Sequence, residues 1–461
     1  LLYSQIQVWL PFFTPFERIN RAFHLLVVQS RFAFKESSRP REVKHKMQGF
    51  IRGQINTDSA SKRPQINHEY ISGEPLHVDS DNGPFKSIQE AIDFAQPGDT
   101  ILVSPGLYMK NLVINKPGLT IAPKEKNGDI TVMCTTGALV TFDLHQGESC
   151  TISGVKFNHS GAEDQGKIGD CEPNAREKPS GKFTKHSLSN FQPNSLMKSI
   201  CLLNGGDVTL TNCRLFLNYL ISSSKYDIPA VIALEDSSLT LDQCEIKGNK
   251  SHSTIGVISI KSNLNITHSK IHNHQAGGVI IFQDNDRKAF VGKGTEINFN
   301  GNVGIFCYGD KCAPTIEECK IESNDGAGIF VSIGNHTQIK GNEIRNNRLG
   351  VEVESADPYI YHNTIFRNYG TGVLLNTVEL TLCGAKVQAN KINENENGVE
   401  CRGEECKPVI DNNPEIKGNK KAGIKVCEGA HAKIMRNNIE ENSTQGILIV
   451  ENSSANIESN V

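Results

Sequence analysis

From residue 256 onward, a glycine followed by Val or Ile recurs through the chain: GVISI (256), GVIIF (278), GIFCY (304), GIFVS (328), GVEVE (350), GVLLN (372), GVECR (398), GIKVC (423) and GILIV (446). The glycines lie 22, 26, 24, 22, 22, 26, 25 and 23 residues apart. Most units also carry two aliphatics five apart: Ile266 and Ile271, Ile316 and Ile321, Ile339 and Ile344, Ile360 and Ile365, Ile434 and Ile439. These are read as one further strand per unit. Short apolar runs split by Gly and Asn, without a helical period, predict stacked coils of strand rather than alternating strands and helices. Asn300, Asn324, Asn346, Asn368, Asn419 and Asn442 each stand four residues before their glycine. Such a spacing predicts a column of amides bonded from coil to coil. Weaker copies at 150–157, 208–215 and 239–246 extend the pattern, giving about twelve coils over roughly 135–461.

The stretch before the coils, GPFKSIQEAIDFAQPGDTILV (83–103), has a different period. Ser87 and Glu90 form an S-x-x-E capping box, and Ile88, Ala91, Ile92 and Ala95 share one helical face. The predicted helix suits the open apolar end of a first coil. Pro97-Gly98-Asp99 ends it, and TILV and NLVI follow as strands. The repeats resemble those of right-handed parallel β-helices of the pectin-lyase-like superfamily. The resemblance implies an all-β solenoid with an N-terminal capping helix and a short helical N-terminal segment, and it leaves the activity open.

Three regions are expected: a helical segment at 1–37, a linker at 38–75, and the β-helix at 76–461 with a polar insertion at 160–197. The last unit breaks off at NIESNV, which predicts further coils or a cap beyond it. Residues 10–37 start with Leu-Pro, pass a capped turn at Thr14-Pro15-Phe16-Glu17 and continue as an aliphatic helix. This order is similar to the later part of an F-box. The resemblance implies a Skp1-like adaptor bound through Leu10, Pro11, Phe16 and Ile19. A helical cap or oligomerisation segment fits the same residues.

Lys plus Arg is 48 and Asp plus Glu is 51, for a net charge of −3. This near-neutral balance speaks against nucleic acid or an acidic membrane as the general partner. No run of eighteen apolar residues predicts a membrane-spanning helix. The first residues have no basic stretch and no small-residue cleavage site, and the thirteen cysteines show no framework spacing. The expectation is reduced thiols in an intracellular protein, cytoplasmic or nuclear, with cytoskeleton or cilium as further possibilities. C-x-G-x-x-C-x-P occurs at 307–314 and 401–408, but four coils apart the two cannot share a metal. Neither metal nor cofactor is expected. Cys213 and Cys244, in adjacent coils, could form a disulfide but are read as a reduced stack.

Outside the lumen two features carry candidate chemistry. If the first and third residues after each glycine face inward, the second and fourth face outward. Ile258, Ile280, Phe306 and Phe330, with Phe282 and Tyr308, then form an apolar stripe. It is read as a protein-docking face, unless the N-terminal segment or the 160–197 insertion folds over it. In the same rows stand Glu352 and Glu354, followed by Asp357, with Glu400 and Arg402 two coils on. Paired carboxylates serve acid–base chemistry when one protonates and the other activates water. Family signatures of sugar enzymes are missing or incomplete: NTD at 56–58 lacks its companions, and Asp357-Pro358-Tyr359 replaces two groups of an epimerase motif. The preferred expectation is thus a non-catalytic recognition scaffold, a substrate-recognition subunit of an F-box ubiquitin ligase. A cytoskeletal or ciliary scaffold and a divergent polysaccharide-processing enzyme are the alternatives.

Overall fold

The computed structural model describes residues 73–126, 128–160, 198–218, 228–250, 254–333, 336–378 and 381–461. The helical segment with Leu10, Pro11, Phe16 and Ile19, nearly all of the linker, the NTD sequence and almost all of the insertion lie outside them.

The described residues wind as a parallel β-helix with three sheets of 15, 13 and 13 strands. Each coil adds one strand to each sheet in turn. Strands Thr100–Val103, Gly106–Tyr108 and Leu112–Ile114 illustrate the order of first, second and third sheet. The glycine-led runs form the third sheet. The aliphatics five apart are two strands, not one: Ile266 pairs with Val291 in the first sheet and Ile271 with Ile297 in the second. The coils also begin earlier than the sequence pattern suggests, since Leu76–Val78 already pairs with Thr100–Val103.

The lumen is a set of rows. Val257, Val279, Ile305, Ile329, Val351, Val373, Val399 and Ile424 follow one another in register and are fully buried. Each such side chain contributes about 1.5–3 kcal/mol of burial. The preceding glycine is required by close approach: a Cβ on Gly304 would lie 2.4 Å from the Gly328 carbonyl oxygen in the next coil.

An amide column runs beside these rows through Asn300, Asn324, Asn347, Asn368, Asn395, Asn419 and Asn442. Its third amide is Asn347 rather than the expected Asn346, which takes the left-handed corner just before it (φ 55°). His274 begins the column by donating its backbone N–H to Asn300 Oδ1 (3.1 Å). Burial pushes its imidazole down to about 3, so the ring is neutral. A second column was not foreseen: Asn342, Asn363, Asn390, Asn413, Asn437 and Asn460 mark the other corner. In earlier coils thiols take that place. Cys213, Cys244 and Cys319 donate to the carbonyls of Ile152, Leu210 and Val291 at 3.5, 3.3 and 3.3 Å. All twelve described cysteines are free and buried.

Helix α1 (Ile88–Phe94) covers the first coil with Ile88, Ala91 and Ile92 inward. Ser87 Oγ accepts from Glu90 N at 3.3 Å, while Glu90 Oε2 accepts from Lys86 N instead of closing the box on Ser87. Gln89 does more than pack. Its amide accepts from Val113 N (2.8 Å) and donates to Val113 O (3.2 Å), taking the place of a missing strand at the edge of the third sheet.

Candidate active site

The third sheet carries the expected outward rows. Register places Ile258, Ile280, Phe306, Phe330, Glu352, Leu374, Glu400 and Lys425 in one row. A second row holds Ile260, Phe282, Tyr308, Ser332, Glu354, Asn376, Arg402 and Cys427. The charged members and their partly exposed ends, Arg402 and Lys425, confirm that this face looks away from the lumen.

The residues of the apolar stripe are largely covered. Ile258, Ile280, Phe306 and Tyr308 are only 1, 2, 7 and 5 % exposed, and Phe282 and Phe330 are half-buried. Part of this cover comes from the row itself: Phe306 stacks on Phe330 at 5.0 Å, and Phe282 on Tyr308 at 5.2 Å. An aromatic face that stacks along the solenoid has spent much of its apolar area within its own sheet.

The acidic residues meet as the rows demand. Glu352 and Glu354 rise from the same face of Leu349–Glu354, ~6.6 Å apart along the strand. They are 3 and 6 % exposed. Burial, and after it the charge of Glu354, push Glu352 up to about 8 against the pull of Arg348 and Arg402. Burial pushes Glu354 up to about 7. Two coils on, Glu400 is equally buried but behaves oppositely. Burial would raise it, yet Arg402 and Lys425 together outweigh burial and hold it below its usual range. Its Oε1 accepts from Arg402 Nε and Nη2 (3.0 and 2.8 Å) and Lys425 Nζ (2.9 Å). Its Oε2 accepts from Thr371 Oγ1 (2.9 Å) and Asn397 Nδ2 (3.1 Å). The site therefore holds two carboxyls that titrate near neutrality beside a fixed carboxylate with two cations.

Asp357 does not join them; it turns to the corner and pairs with His336 at 2.8 Å. Tyr359 stacks on Tyr361 at 4.2 Å, so the Asp-Pro-Tyr sequence builds no catalytic group. Arg348, Thr371 and Asn397 were not singled out from the sequence. They flank the glycines rather than sit at the alternating offsets, and no spacing marks them. The two thiol motifs are four strands apart, Cys307 following through Val331, Val353 and Leu375 to Cys401. Among the described residues, Cys427, Glu428 and Glu451 have donor atoms within 4.8 Å of one another and could gather a cation. Burial pushes the Cys427 thiol up to about 11, which makes it a poor ligand on its own.

The family model for the right handed beta helix region matches residues 200–348 and 256–414. The chain is a right-handed parallel β-helix. Among solved structures it resembles the mannuronan C-5 epimerase A-module of Azotobacter vinelandii, with 13 % identity over 81 % of this chain and 94 % of that one, at a TM-score of 0.36. It also resembles the polygalacturonase from Erwinia carotovora ssp. carotovora, with 13 % identity over 87 and 97 % and a TM-score of 0.41. A Yersinia enterocolitica family 28 exopolygalacturonase shares 10 % identity over 84 and 78 %, at 0.41. No curated protein matches the sequence. These likenesses concern the fold. The expectation of a non-catalytic F-box ligase subunit is withdrawn: the structures named here bear the names of polysaccharide-processing enzymes. The residues expected to bind an adaptor lie outside the described structure.

Proposed function

We propose that this chain is a polysaccharide-processing enzyme that cleaves an acidic sugar polymer at the outer face of the third sheet. One observation carries the reading: Glu352 and Glu354 share one face of one strand and are pushed up to about 8 and about 7. Glu352, pushed up further, keeps its proton more readily than Glu354. Glu352 then donates a proton to the leaving glycosidic oxygen. Glu354 takes a proton from the water that attacks the anomeric carbon on the other side, so the bond breaks with one water consumed. The strand rise sets the Cα atoms of the pair ~6.6 Å apart. The positive groups set the substrate class. Arg402 and Lys425 exceed Glu400 by one charge and are 39 and 28 % exposed, and Arg348 adds another beside Glu352. A sugar carboxylate is the complementary group.

The test is release of reducing ends from polygalacturonate, alginate and a neutral glucan by the full chain. The expected rate has a narrow optimum between pH 7 and 8, because the base must be ionised and the acid protonated. Glu352→Gln should lower the rate on the acidic polymer at least about 100-fold. No release from either acidic polymer, or an unchanged rate in Glu352→Gln, would overturn the proposal.

A further inference from the structure

Near the start of the solenoid, the corner between the first and second sheets opens into a cleft. Three consecutive coils build it. In the first of them the chain takes six residues to turn from Pro123 to Ile130. The next two coils turn through Gly154 alone and through Asn212 and Cys213. The long corner stands against the two short ones, and all three line a cleft of about 600 Å³. Lys126 and Asp129 come from the long corner, Ser153 and Lys156 from the second coil, and Asn212 and Arg214 from the third.

Lys156 and Arg214 are register partners on adjacent strands of the second sheet. Like charges side by side, ~4.8 Å apart, destabilise a sheet. Glu245, the next member of the row beyond Arg214, does not relieve them; its Oε1 lies 3.1 Å from His272 Nε2. Among the described residues, neither these two cations nor Lys126 forms an ion pair, and the side chains of Asp129, Ser153 and Asn212 form no hydrogen bond. Lys156 reaches the face of Phe216 at 5.9 Å. Further along, the same corner closes on itself. Asp242 accepts from Thr267 Oγ1 (2.7 Å) and pairs with His268 (2.8 Å), and Asp411 accepts from Arg436 Nε and Nη2 at 2.9 and 2.8 Å. The corner satisfies its polar groups in those coils and leaves the polar ends that line this cleft uncommitted.

We propose that this cleft binds a phosphate monoester carried on a small sugar. Three cations against the one carboxylate of Asp129 leave an excess of two positive charges. A phosphate monoester brings close to two negative charges near pH 7 and three acceptor oxygens. These oxygens meet the planar fork of Arg214 and two ammonium groups together, where a carboxylate offers one charge and two oxygens. Inorganic phosphate alone leaves most of the volume unfilled, so the ester carries a further group. None of the lining residues is aromatic, which leaves a nucleobase nothing to stack on. Ser153, Asn212 and Asp129 instead offer hydroxyl, amide and carboxylate groups to sugar hydroxyls. The cleft is separate from the carboxyl pair on the third sheet and binds whether or not that pair turns a polymer over.

The probe is glucose 6-phosphate, titrated by calorimetry into the full chain near pH 7, with glucuronate, glucose and a phosphoserine peptide as comparisons. Glucose 6-phosphate should bind at least about tenfold more tightly than glucuronate, and glucose should not bind measurably. Arg214→Gln and Lys156→Gln should each weaken glucose 6-phosphate binding about tenfold. Both should leave the unfolding midpoint of the free chain unchanged or raised, because each removes one of two like charges. Asp129→Asn should tighten binding about threefold, a gain that a damaged fold cannot produce. Affinity should fall below about pH 6, where the ester takes up its second proton. Equal affinity for glucuronate, tighter binding of the phosphoserine peptide, or unchanged binding in both Arg214→Gln and Lys156→Gln would overturn the proposal.

Discussion

Val351 and Glu352 are neighbours in sequence and stand on opposite faces of one strand. The row of Val351 is aliphatic in every coil from Val257 to Ile447. The row of Glu352 changes from Ile through Phe to Glu, Leu and Lys over the same coils. Inside, each side chain must fill the same gap and meet the same neighbour one coil away, so the same residue type returns. Outside, nothing forces repetition, and a departure from the pattern is where chemistry can be placed. The lumen teaches how the chain folds; the irregular row shows where to look for what it does.

The sharpest way to break that comparison is to disrupt a repeated inner position. Asn368 accepts from Asn347 N and Nδ2 and donates to Ile344 O and Asn395 Oδ1. Asn368→Ala strands several buried polar groups, each costing about 1–3 kcal/mol, so a loss of about 3–6 kcal/mol is expected in urea unfolding. A midpoint that stays put would show that the amide column is not what holds the coils together.

A smaller effect, with a sign that depends on pH, belongs to the outer row. The Glu354 carboxyl titrates at about 7 in the fold against an ordinary 4.5. Between these values the folded chain binds more protons than the unfolded one, so stability is full below the lower value and is lost as pH rises through the upper. Glu354→Gln cannot ionise and escapes that loss. It should match the parent chain near pH 4.5 and exceed it by about 1–2 kcal/mol at pH 8.5, a discounted figure for a group with a charged neighbour. A variant less stable than its parent at both pH values would mean that the carboxylate is held by partners rather than tolerated.

The smallest effect is expected where both members of a pair face water. Lys391 and Glu415 meet at 2.7 Å but are 52 and 35 % exposed. Lys391→Ala should cost less than about 0.5 kcal/mol. A loss comparable to that of Asn368→Ala would erase the distinction between the lumen and the outer faces.

What could be read from the sequence follows the same division. The glycine spacing gave the coils of the third sheet because a Cβ there strikes the next coil's backbone. The outward rows followed from simple alternation, down to the pairing of Glu352 with Glu354. The corner between the first and second sheets was invisible. Its left-handed residues include Gln243, His268, Glu318, His362, Ala389 and Arg436, at φ between 48° and 56°. Glycine marks the turn in only some coils, as at Gly154, Gly294 and Gly341, so two strands read as one. The same holds for Asn346, which resembled a column member but occupies the left-handed corner beside it. The exposure of the aromatic stripe was equally hidden, because alternation fixes a side chain's direction but not what lies over it. For Glu400, its hydrogen-bond partners Thr371 and Asn397 come from loop positions with no period at all.

The bond from Cys213 to the Ile152 carbonyl, 61 residues apart, is the counterpart of bonds that elsewhere span 24–34. The strand Cys201–Leu203 still pairs in phase with Val140–Phe142 below and Val231–Ala233 above. Stacking therefore keeps count of turns and ignores how much chain is paid out at a corner. The scaffold behaves like a ratchet with tolerant slots: length can grow or shrink between strands without shifting any row. A domain spliced in between Ser160 and Lys198 would ride on a solenoid whose registers never learn that it is there.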